Sequence, residues 1–399
     1  MTPKSPAPRD RSWFRPEDCR LDDLRAVVAQ VTDPADYPYA DSVEQGVPVY
    51  GTGLRQHAAA PEHRRAVQAE LVRALLDGPG IVVFRAAFPD RSVVDRASRA
   101  FTGMIAEQKA SGSAGGDHFA TPGANDRVWG ALDKLALRDP EVFADYYAND
   151  VLALVSEAWL GPGYQVTSQV NVVNPGGRAQ VAHRDFHLGF MSLDQSLGYP
   201  AHVHRLSPLM TLQGAVAHCD MPVETGPTMY LPHSQKYEPG YVAFHRPEFA
   251  AYFDEHQVQL PLATGDAAFF NPALLHGAGT NRSADVRRMA NLLQVSSAFG
   301  RAMESVDRAA MSRALYPVLA RRKAAGAAER DLRNVVAAAA EGYAFPTNLD
   351  RDQPIGGLAP RTQAELLWQA VEEGWDAATF GKELDAHTDR RTTRSTASP

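Results

Sequence analysis

Residues 180–187 read Gln180-Val181-Ala182-His183-Arg184-Asp185-Phe186-His187, and they follow a segment, 164–173, whose composition predicts a β-strand. Side chains two residues apart in an extended chain point to the same face, so His183 and Asp185 should project together while Arg184 points away. An imidazole and a carboxylate on one face can chelate a metal ion. Because so short a pattern also arises by chance, the prediction depends on a third ligand and on the surrounding fold.

The candidate third ligand is His276, which ends the segment 265–276. Two histidines and one carboxylate on one face of an octahedral metal form the facial triad of non-haem Fe(II) oxygenases, which leaves three positions free. The chain contains only two cysteines, Cys19 and Cys219, too few for a disulfide framework or a thiolate zinc site. Histidine and carboxylate ligands are therefore what the sequence offers to a metal.

Short β-rich segments surround these candidate ligands and are separated by Gly, Pro and Asn. Candidate strands are 81–84, 164–173, 209–219, 226–232, 258–262, 266–270 and 289–298. Helical periodicity occupies 21–31, 62–76, 92–108, 140–159, 302–343 and 361–374. Irregularly spaced strands favour a sandwich or jelly roll over alternating βαβ units. The sequence thus predicts a mainly β core with flanking helices.

The same pattern suggests a division of the chain. We expect a loose N-terminal lead-in at 1–20 and a catalytic β-domain with N-terminal helices at 21–300. A C-terminal helical extension packed on the core should cover 301–387, and 388–399 should form a disordered tail.

Composition narrows the class of protein. The 399 residues include 40 Lys+Arg and 47 Asp+Glu, a net charge of −7, and no basic block long enough to follow a phosphate backbone, which argues against nucleic acid. The absence of a signal-like start and of about 18 consecutive apolar residues argues against export and a membrane span. We expect a cytoplasmic protein with a small-molecule substrate, and a homodimer remains open.

Three blocks of the chain resemble the phytanoyl-CoA dioxygenase family of Fe(II)/2-oxoglutarate oxygenases. They are Val181 to Asp185, Glu224 to Ser234, and His276 to Ser283 with Arg287, and they place the resemblance over roughly 160–300. The second block departs from the family's Pro-Gly-Ser-His by reading Pro232-His233-Ser234-Gln235, which concerns a turn beside the site. The resemblance implies a double-stranded β-helix, a cupin-like jelly roll.

The resemblance also implies roles for individual residues. His183, Asp185 and His276 would bind Fe(II). Arg287, eleven residues after His276, would pair with the distal carboxylate of 2-oxoglutarate. Arg288 and Arg282 are the alternatives. Strand alternation points Arg287 and Arg288 to opposite faces and family-like spacing favours Arg287, whereas Arg282 lies in an Asn-Arg-Ser turn, where an arginine is usually solvated.

Three further residues are weaker candidates on the same resemblance. Gln169 and Asn171 share one face of a predicted strand and would line the cosubstrate or substrate pocket, and Thr228 lies in the Gly-Pro-Thr loop.

The activity implied is hydroxylation of an unactivated C–H bond of a small organic molecule. O₂ is consumed and 2-oxoglutarate is converted to succinate and CO₂. Asp185 argues against halogenation, because related halogenases leave the carboxylate position to Ala or Gly. Two alternatives stay open: a cupin-like hydrolase or isomerase that uses a metal without O₂, and a non-catalytic jelly-roll binding module.

Overall fold

The computed structural model describes residues 12–112 and 123–393, and its β-structure forms two sheets. The strands in chain order are β1 (Ser42–Glu44), β2 (Val47–Tyr50), β3 (Ile81–Phe84), β4 (Asn125–Val128), β5 (Gln165–Val173), β6 (Thr211–Ala217), β7 (Met229–Tyr230), β8 (Val258–Gln259), β9 (Ala267–Phe270), β10 (His276–Gly277) and β11 (Arg288–Ser296). The larger sheet has the order β1-β2-β3-β9-β6-β11-β5-β4, and the smaller has the order β10-β7-β8.

The larger sheet is mixed. Strands β2 and β3 are parallel, whereas β9 pairs antiparallel with both β3 and β6. In the smaller sheet, β7 pairs antiparallel with β10 on one side and with β8 on the other. A large mixed sheet beside a small antiparallel one agrees with the mainly β core that the sequence predicts.

Helices precede, interrupt and follow the strands. They are α1 (Leu21–Val28), α2 (Gly53–Ala59), α3 (Pro61–Leu76), α4 (Arg91–Ala110), α5 (Ala131–Arg138), α6 (Pro140–Tyr147), α7 (Asp150–Leu160), α8 (Leu193–Leu197), α9 (Ala201–Leu206), α10 (Gly240–Ala243), α11 (Pro247–His256), α12 (Arg308–Ala324), α13 (Glu329–Ala339), α14 (Gln363–Glu373) and α15 (Ala377–Arg390). Within the described ranges, no helix combines the length and the apolar composition that crossing a bilayer requires.

The chain forms two compact units. The first comprises the described residues within Met1–Pro89, Gly116–Arg127 and Asn171–Leu292, and it contains the smaller sheet and most of the larger one. Its core includes an apolar cluster in which Val49, Val83, Ala268 and Phe270 pack from neighbouring strands against Tyr230. Burying such side chains contributes about 1.5–3 kcal/mol each for the larger ones.

The second unit comprises the described residues within Asp90–Gly115, Val128–Val170 and Leu293–Pro399. In it, helix α12 packs against α5, α6, α13 and α14. Compact units need not coincide with functional domains, so a catalytic domain at 21–300 and a helical extension at 301–387 stay predictions.

Several predicted elements differ at their boundaries. The helix predicted over 140–159 is two helices, because the Asn149 side chain accepts hydrogen bonds from the Val151 and Leu152 amides and so begins α7. Helix α15 continues to Arg390, into the segment predicted as a tail, and 394–399 lies outside the described residues.

The N-terminal segment also differs from a loose lead-in where it is described. Phe14 and Cys19 are buried in an apolar cluster that includes Leu24 and Phe249. Residues 1–11 lie outside the described part of the chain.

Candidate metal centre

The two candidate histidine ligands are joined through their backbones. The His183 amide donates to the His276 carbonyl at 2.9 Å, and the His276 amide donates to the His183 carbonyl at 3.1 Å. His276 also begins β10, where it pairs with Tyr230 of β7. Backbone pairing therefore brings together two ligands that are far apart in sequence.

Asp185 completes the cluster from the same segment as His183. Its Oδ1 lies 3.8 Å from His183 Nε2, and its Oδ2 lies 3.5 Å from His276 Nε2. One ligand atom from each of the three residues lies within 4.8 Å of the other two, a spacing at which they could hold a single metal ion. The two-residue spacing thus places the Asp185 carboxylate and the His183 imidazole on the same side of their segment.

The tautomer of each histidine is set by a backbone carbonyl. His183 Nδ1 lies 2.8 Å from the Val181 carbonyl, and His276 Nδ1 lies 2.9 Å from the Leu274 carbonyl. Because a carbonyl can only accept, each Nδ1 must carry the proton. The lone pair of each Nε2 is then left for a metal, the arrangement in which metal-ligating histidines are commonly held.

The electrostatics suit a cation. Burial lowers the pKa of His183, and the neighbouring His276 lowers it further, so the ring is neutral at neutral pH. For Asp185, burial opposes the charged form, but the groups around the carboxylate, the Gln213 amide among them, hold its pKa below the usual range. An ionised carboxylate beside a neutral imidazole is the protonation state in which such groups bind a divalent metal.

Arg184, between the two ligands, anchors their segment from the opposite side. Its Nη2 donates to the Ser234 carbonyl at 2.6 Å and to the Tyr237 carbonyl at 3.0 Å, and burial lowers its pKa to about 10. The Tyr241 hydroxyl donates to the Asp185 carbonyl at 3.1 Å. A Cβ at Gly240 would lie 1.8 Å from the Arg184 guanidinium carbon, so this position requires glycine.

The adjacent arginines occupy different environments. The Arg287 side chain is 52% exposed, and its guanidinium already binds Asp126 Oδ2 at 2.7 Å and Asn174 Oδ1 at 3.1 Å. Arg288 is only 6% exposed, and its Nη1 donates to the carbonyls of Thr225 and Gly279. The Arg287 guanidinium is thus paired within the protein, and the assignment of either arginine to 2-oxoglutarate stays a prediction.

Arg288 faces polar groups next to the metal centre. Tyr230, the strand partner of His276, lies near enough to Arg288 for the guanidinium to oppose the rise that burial causes in the tyrosine pKa. The Thr228 side chain, which also opposes that rise in the Tyr230 pKa, is partly buried. Among the described residues, Arg288 Nε and Nη2 make no hydrogen bond, so two donors remain for an incoming carboxylate.

The other two predicted pocket residues have protein partners. Asn171 Oδ1 accepts from the Asn125 amide at 3.3 Å. Gln169 lies in the part of β5 that belongs to the second unit, where its amide is 3.8 Å from the Met303 sulfur. Their assignment to a cosubstrate or substrate pocket stays a prediction.

Sequence reasoning missed Gln213, in β6. Its Nε2 donates to Asp185 Oδ2 at 2.5 Å, and the residue is 3% exposed. A signal was present, since this glutamine interrupts an otherwise small or apolar buried strand, and a buried amide needs a hydrogen-bond partner. The identity of that partner depends on the fold.

The donor set fits iron. Two histidine Nε2 atoms and one carboxylate on a shared face match the 2-His-1-carboxylate triad of mononuclear non-haem iron enzymes. The family comparison agrees with this chemistry, because a family model described as phytanoyl-CoA dioxygenase (PhyH) matches residues 62–289. That range exceeds half of the chain, and the protein belongs to the phytanoyl-CoA dioxygenase family, whose members use Fe(II) and 2-oxoglutarate.

Solved structures with distant similarity include two enzymes of nogalamycin biosynthesis. The non-haem alpha-ketoglutarate-dependent epimerase SnoN is 20% identical, with a TM-score of 0.41 over 60% of this chain and 82% of that one. The carbocyclase SnoK is 21% identical, with a TM-score of 0.42 over 59% of this chain and 86% of that one. No protein of curated function matches the chain.

Proposed function

We propose that this protein is an Fe(II)/2-oxoglutarate-dependent dioxygenase that hydroxylates a C–H bond of a small organic molecule. The observation that carries the proposal is the cluster of His183, Asp185 and His276, whose ligand atoms lie within 4.8 Å of one another. The carbonyl partners of both imidazoles leave each Nε2 available to the metal. In this proposal the two sheets correspond to the double-stranded β-helix of the family.

Arg288 is the proposed partner of the distal carboxylate of 2-oxoglutarate. Its guanidinium is buried, remains charged at neutral pH with a pKa of about 10, and keeps two donors for a bidentate contact. Tyr230 and Thr228 would lie beside the same carboxylate. Arg287 would stabilise the fold through Asp126 instead.

The chain's own residues position the reactants. When bound, iron with 2-oxoglutarate and O₂ supplies the oxidant for the C–H bond, and the cosubstrate is converted to succinate and CO₂. His276 is 5% exposed, and its ring centroid lies 4.7 Å from that of Phe270, so this side of the centre is apolar and closed to water. The open side beyond His183, whose side chain is 26% exposed, is where a substrate would approach.

The test is turnover by the purified protein loaded anaerobically with Fe(II) and 2-oxoglutarate. Candidate small molecules are screened for substrate-dependent succinate formation after ¹⁸O₂ is admitted. The masses of the products are then measured by mass spectrometry. Hydroxylation predicts one labelled oxygen atom in the product and one in succinate. Asp185→Ala should abolish substrate-coupled succinate formation.

Two outcomes would contradict the proposal at different levels. A product that is oxidised or epimerised without gaining oxygen would refute hydroxylation and leave the cofactors in place. Turnover that is independent of O₂ and 2-oxoglutarate would instead support the metal-dependent hydrolase or isomerase. A metal-dependent hydrolase or isomerase binds no dicarboxylate cosubstrate, so it would have no use for Arg288 Nε and Nη2, which make no hydrogen bond among the described residues.

A further inference from the structure

Gln213 places an amide against the candidate metal carboxylate from a strand that contributes no ligand. It lies in β6, in register with Phe270 of β9, and every residue of β6 is buried. Its Nε2 donates to Asp185 Oδ2 at 2.5 Å. Burying an amide costs free energy unless it is hydrogen-bonded, so the contact with Asp185 is what makes a glutamine tolerable here.

The two oxygens of Asp185 are therefore not equivalent. Oδ2 accepts from Gln213 and faces His276, whereas Oδ1 faces His183 at 3.8 Å. A carboxylate oxygen engaged by an N–H donor is a weaker metal ligand than its free partner, because the donor withdraws the same electron density. Oδ1 is thus the oxygen better able to bind a metal.

We propose that Gln213 restricts Asp185 to one-oxygen coordination, so that three metal positions stay open for the cosubstrate and O₂. The inference rests on the ligand assignment of the proposed function. An octahedral ion with two histidines and a one-oxygen carboxylate keeps three positions, of which 2-oxoglutarate takes two and O₂ takes one. A two-oxygen carboxylate would leave only two positions, and the bound cosubstrate would then block O₂.

The other end of the same amide is also buried, on the side of the centre that carries Phe270 and His276. Gln213 Oε1 is buried and has no hydrogen-bond partner among the described residues. A buried acceptor without a partner usually signals a water or ligand that completes it. Gln213 is thus a positioning residue that acts through Asp185.

The experiment compares Gln213→Met with the wild type and with Gln68→Met. Methionine keeps the side-chain length and removes the amide. Gln68 is a buried glutamine of α3 whose side-chain oxygen accepts from Arg65, so the control makes the same substitution at a site that is not part of the metal centre. Each protein is loaded anaerobically with Fe(II), with and without 2-oxoglutarate, and titrated with nitric oxide as a probe of the O₂ position by electron paramagnetic resonance.

We expect Gln213→Met to bind nitric oxide like the wild type when 2-oxoglutarate is absent. With the cosubstrate bound, its affinity for nitric oxide should fall about tenfold or more, within the 10–100-fold range typical for residues that orient metal ligands. The visible charge-transfer band of the Fe(II)·2-oxoglutarate complex should shift as well. Gln68→Met should match the wild type in all three measurements.

Unchanged nitric oxide binding by Gln213→Met in the presence of 2-oxoglutarate would overturn the inference while leaving the proposed function standing. A wild-type protein that binds neither Fe(II) nor 2-oxoglutarate would instead remove the proposed function itself. If Gln213→Met does not fold, Gln213→Leu replaces it, since it also removes the N–H donor and offers neither a proton nor a metal ligand. We expect this variant, too, to lose affinity for nitric oxide only when 2-oxoglutarate is bound. Nitric oxide binding equal to that of the wild type would again refute the role of Gln213.

Discussion

Replacing Arg288 with lysine tests which arginine binds the cosubstrate. Lysine keeps the positive charge but loses the planar fork that pairs with a carboxylate through two parallel hydrogen bonds. Hydrogen bonds to charged groups contribute about 1.5–3 kcal/mol, and about 1.4 kcal/mol corresponds to a factor of ten. Arg288→Lys should therefore raise the KM for 2-oxoglutarate roughly 10- to 100-fold.

The matched control is Arg287→Lys, one residue earlier in the chain. Arg287 is 52% exposed but its partner Asp126 is buried, so lysine, which keeps a charge for that carboxylate, should cost about 1 kcal/mol of folding free energy. The KM for 2-oxoglutarate should stay within about twofold of the wild-type value, since the proposed function gives Arg287 no contact with the cosubstrate and lysine keeps its charge. The two variants thus separate a binding role from a structural one.

The assay must isolate the distal carboxylate, because Arg288 also donates to the carbonyls of Thr225 and Gly279. Anaerobic titration of the charge-transfer band gives the affinity for 2-oxoglutarate and for 2-oxobutyrate, which lacks that carboxylate. Arg288→Lys should weaken only the first. Equal weakening of both acids, or a large effect of Arg287→Lys with none of Arg288→Lys, would refute the assignment, and urea unfolding checks that each variant is folded.

Two further predictions concern stability. His233 occupies a turn with φ +69°, where a non-glycine residue costs about 1–2 kcal/mol, and its ring contacts Thr32 and Lys236. His233→Gly and His233→Ala lose the same ring contacts, so the glycine variant should be more stable by about 1 kcal/mol in urea unfolding; equal stabilities would contradict the strain. Burial lowers the pKa of His218 to about 3, below that of an unfolded histidine, so the unfolded chain binds more protons between the two values. Stability should fall as pH drops below about 6.5, by up to about 1.4 kcal/mol per pH unit from this residue. His218→Leu should flatten that profile, and an unchanged slope would exclude His218 as its source.

The parts of the site that follow local geometry were predictable. His183 and Asp185 share a face because side chains of an extended chain alternate every two residues, so the tripeptide His183-Arg184-Asp185 alone predicts it. The strands β3 and β5 likewise coincide with segments rich in β-branched residues. In each case neighbours along the chain determine the outcome.

The arginine assignment depends on information that is not local. Strand β11 begins at Arg288, and a shift of one residue in that starting point exchanges the inward and outward faces. The partner that draws Arg287 outward is Asp126, 161 residues earlier in the chain. Counting residues from His276 reveals neither where β11 begins nor that Arg287 pairs with Asp126.

Two misses have different physical causes. The contact of Gln213 with Asp185 needs the tertiary arrangement of β6, although the glutamine itself was conspicuous in an apolar strand. Helix α15, by contrast, has a readable period, since Phe380, Leu384 and His387 are buried at helical spacing. That stripe ends at His387, so the helical extension predicted over 301–387 includes most of α15, and only its last three residues, which are polar, fall in the predicted tail.

The backbone bridge between His183 and His276 has a consequence for how the centre is built. The bridge closes a loop of more than ninety residues with two hydrogen bonds that involve no metal. Small zinc domains collapse without their ion because the ion itself holds the ligands together. Here the ligands are held by the fold, so the apoprotein should be a stable scaffold that can be emptied and refilled. Chemistry and architecture can then change independently: a different ion, or none, would alter what the centre does without dismantling the sheets that carry it.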